Sequence, residues 1–225
     1  MSKTNQNTHA YSEQEQTAIY KVIAERRDMR HFLPTPIETE VLQKILQAAH
    51  HAPSVGLMQP WRFIRITDKT TRKAIYKLVD EERIKTAQAI GEFENTARMA
   101  EFLRLKVEGI LECGELLVAT LCNKREKHIF GRRTLPEMDV ASVSCAIQNM
   151  WLAARAEGLG MGWVSIFDPE KLGALLNIPE DAKPIAVLCL GHVDSFYKEP
   201  MLVETGWREA KPMSEMLMEN GWENS

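Results

Sequence analysis

Three arginines fall within five residues in Arg26-Arg27-Asp28-Met29-Arg30, followed by His31-Phe32. Guanidinium forks match phosphate oxygens two at a time, so such a cluster can hold a phosphorylated ligand. It also lies where a helical pattern ends, and the backbone dipole alone favours cations there. By itself the cluster therefore reads either as a phosphate site or as a solvated helix end. A second candidate is the loop Ala52-Pro53-Ser54-Val55-Gly56-Leu57-Met58-Gln59-Pro60-Trp61. It offers backbone amides, the Ser54 hydroxyl and the Gln59 amide to the polar edge of a ligand, unless it is an ordinary connection.

Gly158-Leu159-Gly160-Met161-Gly162 has the glycine spacing of a dinucleotide loop but the wrong context. A Rossmann fingerprint needs a strand before the glycines and a helix after them, and here the order is reversed. The glycines are instead expected to stop a long helix and turn the chain into a strand that carries Trp163 and Ser165. Asp168-Pro169 reads as the cap and first residue of the next helix. His128 to Arg133 forms a second basic loop. The histidines show no ligand spacing, so no metal is assigned. Cys113, Cys122, Cys145 and Cys189 lie far apart with apolar neighbours, as buried thiols rather than a zinc or disulfide set. Trp61, Trp151 and Trp163 read as core.

These residues need elements to position them. Ser12 to Glu15, Thr35 to Glu38 and Thr134 to Glu137 each carry the capping-box pattern of a helix start. After the first, Ile19, Val22 and Ile23 form an apolar stripe. After the second, Pro36 suits the first helical position, and Val41, Leu42, Ile45, Ala48 and Ala49 continue at helical spacing. After the third, Val140, Val143, Ile147, Met150, Trp151 and Ala154 predict a helix through the core, ending at Gly158. Strands are predicted at 61–67, 116–122, 162–167 and 185–191, the last apolar throughout as if covered on both faces. Helices between strands imply a layered α/β (α+β) arrangement. Between Glu81 and Cys113 lies a charged, helix-prone stretch that can cover a site or sit in solvent. The segment 193–225 holds Trp207 and Trp222 without clear periodicity, as an arm over a partner subunit or a tail packed on its own chain.

The chain has 225 residues, 44% hydrophobic and 26% charged, enough for a sizeable core. Residues 1–16 are expected to be a flexible N-terminal segment, and 17–225 one domain with a C-terminal arm. A net charge of −3 and a pI near 6.1 argue against a nucleic-acid partner. No apolar run approaches the roughly 20 residues of a membrane helix, and the start lacks the apolar core of a signal peptide. The expectation is a cytoplasmic protein with no membrane partner.

In chain order, Arg-Arg-x-x-Arg-x-Phe, then Ala-Pro-Ser before Gln-Pro-Trp, then Gly-Leu-Gly-x-Gly entering a strand resemble the nitroreductase superfamily from about Tyr20 to His192. Two departures narrow the resemblance. Ordinary nitroreductases usually have Ser after the paired arginines, where Asp28 stands here, and often Asn before Gln-Pro-Trp, where Leu57-Met58 stands. Arg-Arg-Asp-x-Arg, with Phe130-Gly131-Arg132-Arg133-Thr134-Leu135-Pro136-Glu137-Met138 and Gly160-Met161-Gly162-Trp163-Val164-Ser165, is similar to the dimethylbenzimidazole synthase branch.

The resemblance implies a nitroreductase-like flavoprotein fold, with a central mixed sheet flanked by helices and FMN at a homodimer interface. It implies FMN-binding roles for Arg26, Arg27, Asp28, Met29, Arg30, Ser54, Leu105 and Ser165, with Asp28 and Ser165 acting in the chemistry. The implied reaction uses reduced FMN as substrate and dioxygen as co-substrate, through a flavin peroxide. It yields 5,6-dimethylbenzimidazole, the lower ligand of cobalamin, and erythrose 4-phosphate, with NAD(P)H used by a separate flavin reductase. Fragmentation needs a proton removed from the ribityl carbon next to the ring, a task for a nearby carboxylate. Two other readings stand beside it: an NAD(P)H-dependent FMN nitroreductase or flavin reductase, and a non-catalytic FMN-binding protein.

Overall fold

The computed structural model describes residues 9–222. Its helices are α1 (Glu13–Glu25), α2 (Thr39–His50), α3 (Lys69–Phe93), α4 (Thr96–Arg104), α5 (Met138–Ala156), α6 (Pro169–Leu175) and α7 (Met201–Glu204). The strands β1 (Trp61–Arg65), β2 (Glu115–Leu121), β3 (Gly160–Val164) and β4 (Lys183–Gly191) form one sheet in the order β1-β2-β4-β3. Each ladder between these strands is antiparallel. The parallel component is a single bridge, Asp28 to Met161, at the β3 edge.

The two central strands are buried on both faces because their side chains alternate between two cores. Leu117, Ala119 and Leu121 of β2 join Ala186, Leu188 and Leu190 of β4 against α2 and α5. Leu116 and Val118 join Val187 and Cys189 on the opposite face, with Ile75 and Val79 of α3 and Leu172 of α6. This two-sided cover is why 185–191 is apolar at every position.

The helix starts behave differently from one another. Ser12 and Glu15 form the full capping box, so α1 begins at Glu13, inside the segment 1–16 expected to be flexible. Residues 1–8 of that segment lie outside the described residues. Asp168 caps α6 with Pro169 in its first turn, as expected. The other two boxes do not form. The second helix starts at Thr39 rather than after Thr35, because Ile37 is drawn into the core and the chain passes the Gly114 backbone closely, Thr35 carbonyl first. The third starts at Met138, with Glu137 in the cap position, because the 135–138 turn is held from below by Arg132 and Asp139. Gly158 does turn the chain, at φ 77°, but Gly160 and Gly162 already belong to β3, and Ser165 lies just past its end.

Burial also corrects two readings. Cys113 and Cys189 are buried, whereas Cys122 is half-buried and Cys145 is exposed on α5. In α1 Ile19 and Ile23 of the stripe are left exposed while Val22 is half-buried, and Tyr20 beside them is also exposed. No helix among the described residues is long and apolar enough to cross a membrane. The first part of the C-terminal segment packs on its own chain, with Phe196 and Tyr197 against the second core, whereas Met213, Met216, Leu217 and Trp222 further along are exposed.

Candidate active site

The arginine motif leaves α1 and runs along the edge of β3. The Met29 amide donates to the Met161 carbonyl at 2.9 Å. That approach depends on glycine: a Cβ at Gly162 would lie 2.3 Å from the Met29 carbonyl oxygen, closer than atoms can pack. The last turns of α5 hold the motif from the other side. The Trp151 indole N–H donates to the Arg27 carbonyl at 3.1 Å, and Arg26 lies 4.5 Å above the Trp151 ring. Arg155 pairs with Glu25 at 2.7 Å, fixing the end of α1.

This frame aims Asp28 at Trp163. One Asp28 carboxylate oxygen accepts from the Trp163 backbone N–H at 3.0 Å, and the other pairs with Arg30 Nη2 at 2.5 Å. Arg30 Nη2 also donates to the Trp163 carbonyl at 3.0 Å. Burial pushes the Asp28 carboxyl above the usual carboxylate value, outweighing the opposing pull of Arg30, the Trp163 amide and Arg26. The side chain nonetheless keeps 39% of its surface open, toward a cavity.

The cavity measures about 190 Å³. Asp28, Arg30, Trp163 and Ser165 form one part of its wall, Phe102 and Leu105 from α4 and its end another. Met201, Leu202 and Trp207 close it from the C-terminal segment. The structure thus brings Asp28, Arg30, Leu105 and Ser165 together. Met29 is buried behind them as packing, and Arg26 and Arg27, just past the end of α1, rest against Trp151 of α5.

Ser54 does not line this cavity. Its hydroxyl accepts from the Gln59 N–H at 3.0 Å, and the Val55 N–H that follows is tied to Ser142. Ser142 and Trp151 are nine residues apart on α5, which at 1.5 Å per residue separates the Ser54 loop from the arginine motif by about 13 Å along the helix. Sequence reasoning missed the walls supplied by Phe102, Met201, Leu202 and Trp207; Trp163, read as core, does pack against the first core and also lines the cavity. The signal available was an isolated tryptophan in a polar tail, which only long-range packing can interpret.

The arginines carry a deficit that an anion would fill. Arg26 Nε, Arg27 Nε, Arg30 Nε and Arg30 Nη1 are buried without a hydrogen-bond partner in the chain. Buried donors are nearly always satisfied, so four on three neighbouring arginines fit a multivalent oxyanion such as a phosphate ester. Among the described residues no group of His, Cys, Asp and Glu is placed to hold a metal.

Residues 23–192 match the model of the nitroreductase family. The chain is 38% identical over 189 residues to a 5,6-dimethylbenzimidazole synthase of Rhodospirillum rubrum, covering 83% of this chain and 87% of that one. It is 35% identical to a 5,6-dimethylbenzimidazole synthase of Rhodobacter capsulatus, covering 87% and 93%. Among solved structures, a BluB-like flavoprotein of Clostridium difficile superposes with a TM-score of 0.68 at 18% identity, covering 89% of this chain and 97% of that one. At those identities the structural likeness speaks for the fold.

Proposed function

The chain belongs to the nitroreductase family, and from that premise we propose that it consumes reduced FMN and dioxygen to form 5,6-dimethylbenzimidazole and erythrose 4-phosphate, the pyrimidine part of the flavin ring leaving as the remaining fragment. The observation that carries this reading is Asp28. Its carboxylate opens onto a small, largely apolar cavity beside Ser165, pinned by the Trp163 N–H and Arg30 and raised in pKa by burial. Reduced flavin supplies the electrons that dioxygen takes up. Asp28 is the base for the ribityl proton, and its raised pKa makes it a stronger proton acceptor than an exposed aspartate. Arg26, Arg27 and Arg30 hold the phosphate, and Ser165 offers a hydroxyl to the ring. Identity of 35–38% to two dimethylbenzimidazole synthases over more than four-fifths of the chain supports the assignment.

The functional unit in this reading is a homodimer. Leu57 and Phe130 are 80% and 83% exposed, and Ile129 and Leu135 are also uncovered beside the Ser54 loop. An apolar surface of this kind marks an association face. A second copy seated there brings its own Ser54 loop to the flavin, which explains why Ser54 stands outside the Asp28 cavity of one chain. Reduced FMN comes from a separate NAD(P)H-dependent flavin reductase.

The direct test is mass spectrometry of the small molecules left when the protein, reduced FMN and air are mixed for one turnover. Dimethylbenzimidazole with loss of flavin is expected. Intact oxidised FMN, with turnover of NAD(P)H and a nitro compound, would identify a reductase instead. Unchanged flavin with neither activity would leave a carrier.

The arginines have a separate test. Arg26→Ala is expected to weaken binding of reduced FMN about ten- to a hundredfold, the value of one charge-assisted hydrogen bond to phosphate. Bound-state turnover should barely change. Arg30→Ala should weaken binding similarly and also move the acidic limb of the rate profile to higher pH, because Arg30 holds the Asp28 carboxyl down. Anaerobic calorimetry reads the first effect. Wild-type affinity in both variants would return the cluster to solvated surface.

A further inference from the structure

Beyond β4 the chain doubles back across the cavity. Its root is fixed at the arginine motif, where Arg27 Nη2 donates to the Lys198 carbonyl at 2.7 Å. Arg155 lies 4.1 Å above the Phe196 ring, and the Tyr197 hydroxyl is 2.8 Å from His31 Nδ1. Helix α7 follows as a single turn, and Gly206, at φ 71°, reverses the chain behind it. The Arg208 N–H then closes back on the Leu202 carbonyl at 3.1 Å.

This reversal sets Trp207 against α4. The Arg98 guanidinium lies 3.6 Å from the Trp207 ring centroid, and its Nη2 donates to the Trp207 carbonyl at 3.2 Å. Two carboxylates aim Arg98 at that position, Glu94 at 3.2 Å and Glu101 at 2.7 Å. Phe102, one turn further along α4, meets the same indole with ring centroids 6.0 Å apart. The elements joined by this contact form facing walls of one cavity: Phe102 and Leu105 on one side, Met201, Leu202 and Trp207 on the other.

We propose that Arg98 is the latch that ties residues 199–208 to α4 and so holds that wall of the Asp28–Ser165 cavity in place, narrowing the access of water from that side. Arg98 is a positioning residue and does not line the cavity itself. The consequence for turnover rests on the function proposed above. With the cover latched, less water reaches the reacting groups, and dioxygen uptake leads to ring cleavage. With the cover released, a larger share of turnovers ends with two electrons and two protons passing from reduced flavin to dioxygen, giving oxidised FMN and hydrogen peroxide.

Hydrogen exchange on the full chain without ligand tests the latch independently of any activity. In Arg98→Ala the amides of 199–208 are expected to exchange about ten times faster, with β2 and β4 unchanged. Arg98→Lys keeps a cation over the ring but loses the fork, and should fall between. At saturating reduced FMN, the ratio of hydrogen peroxide to dimethylbenzimidazole should rise several-fold in the same order. Wild-type exchange in Arg98→Ala would overturn the latch. If Arg98→Ala also loosens β2 and β4, the comparison passes to Arg98→Lys, where unchanged exchange in 199–208 would overturn it equally. Faster exchange of 199–208 with an unchanged product ratio would overturn the sealing role. A wild-type protein that makes no dimethylbenzimidazole would sink the proposed function, while the exchange comparison would still decide the latch.

Discussion

Asp28→Asn is expected to bind reduced FMN, consume dioxygen and hand back intact oxidised FMN, with dimethylbenzimidazole formation down by about 10²–10⁴, the usual contribution of a general base. The amide keeps the shape of the carboxylate and an oxygen to accept the Trp163 N–H, now 3.0 Å away. It cannot take up the ribityl proton. Stability should be little affected, and the sign of the pKa shift says why. Burial raises the folded-state pKa of Asp28, so the protonated form is favoured by folding; that stabilisation is full below the unfolded pKa and lost as pH rises through the folded one. At neutral pH the ionised carboxylate therefore contributes no net stability through titration, and a neutral amide removes a charge that burial disfavours. The same shift sets the acidic limb of the wild-type rate: activity should fall on acidification at a higher pH than an ordinary aspartate would give. Single turnovers at saturating reduced FMN decide the matter. Substantial dimethylbenzimidazole from Asp28→Asn would leave Asp28 only a loop-positioning role through its pair with Arg30.

How far the sequence reached follows from which interactions are local. The Ser12 box and the Asp168-Pro169 cap are satisfied by neighbours within one turn, and the stripe from Val143 to Ala154 shows as a local period although α2 and the sheet are what bury it; all three form. The boxes at Thr35 and Thr134 have the same residues but lose to tertiary demands. Ile37 is taken by the core, and the turn ahead of Met138 is set by Arg132 and Asp139. A capping box is worth about 1 kcal/mol, less than burying an isoleucine or pairing a buried charge.

The same distinction governs the site. Asp28, Arg30, Leu105 and Ser165 line one cavity, and they could be named together from the sequence only because the motif resemblance carries long-range information that composition and periodicity lack. The glycines at 160 and 162 looked like a turn device. Their use is to let the 28–30 segment lie against β3, a contact between residues over a hundred positions apart. Trp207 was illegible for a similar reason, since its meaning comes from Arg98 on α4. Ser54 marks the limit in the other direction. A single chain holds it away from Asp28, so only under the proposed dimer does it reach a flavin site.

The basic loop from His128 to Arg133 conceals a buried charge network that is costly to disturb. Arg132 is not a surface cation: its side chain is 6% exposed, as is that of Asp139, and their contact is 3.0 Å. Asp139 also accepts from Arg125 Nε at 3.0 Å and from the Val140 N–H at 2.6 Å. Around them Arg132 donates to the carbonyls of Arg125, His128 and Pro136, and Arg125 to those of Cys122 and Asp181. Asp139→Ala would leave two largely buried guanidiniums without their buried counter-charge, with only the exposed Glu126 carboxylate 3.9 Å from Arg132 in its place, a change that typically costs about 3–5 kcal/mol. For a chain of this size that corresponds to a melting temperature lower by roughly 10 °C. Asp139→Asn keeps one acceptor and should fall short of that loss. The damage should be felt at the Ser54 loop as well, because a Cβ at Gly56 would sit 3.1 Å from the Phe130 carbonyl, so the two loops are in contact. If the charge alone is what matters, replacing the pair together, as Arg132→Met with Asp139→Leu, should recover part of the stability, since a buried ion pair and an apolar pair of similar volume are often close in free energy. Calorimetry of the two single variants and the double variant measures this. A shift below about 2 °C in Asp139→Ala would mean that the carbonyl cage holds both arginines without the carboxylate.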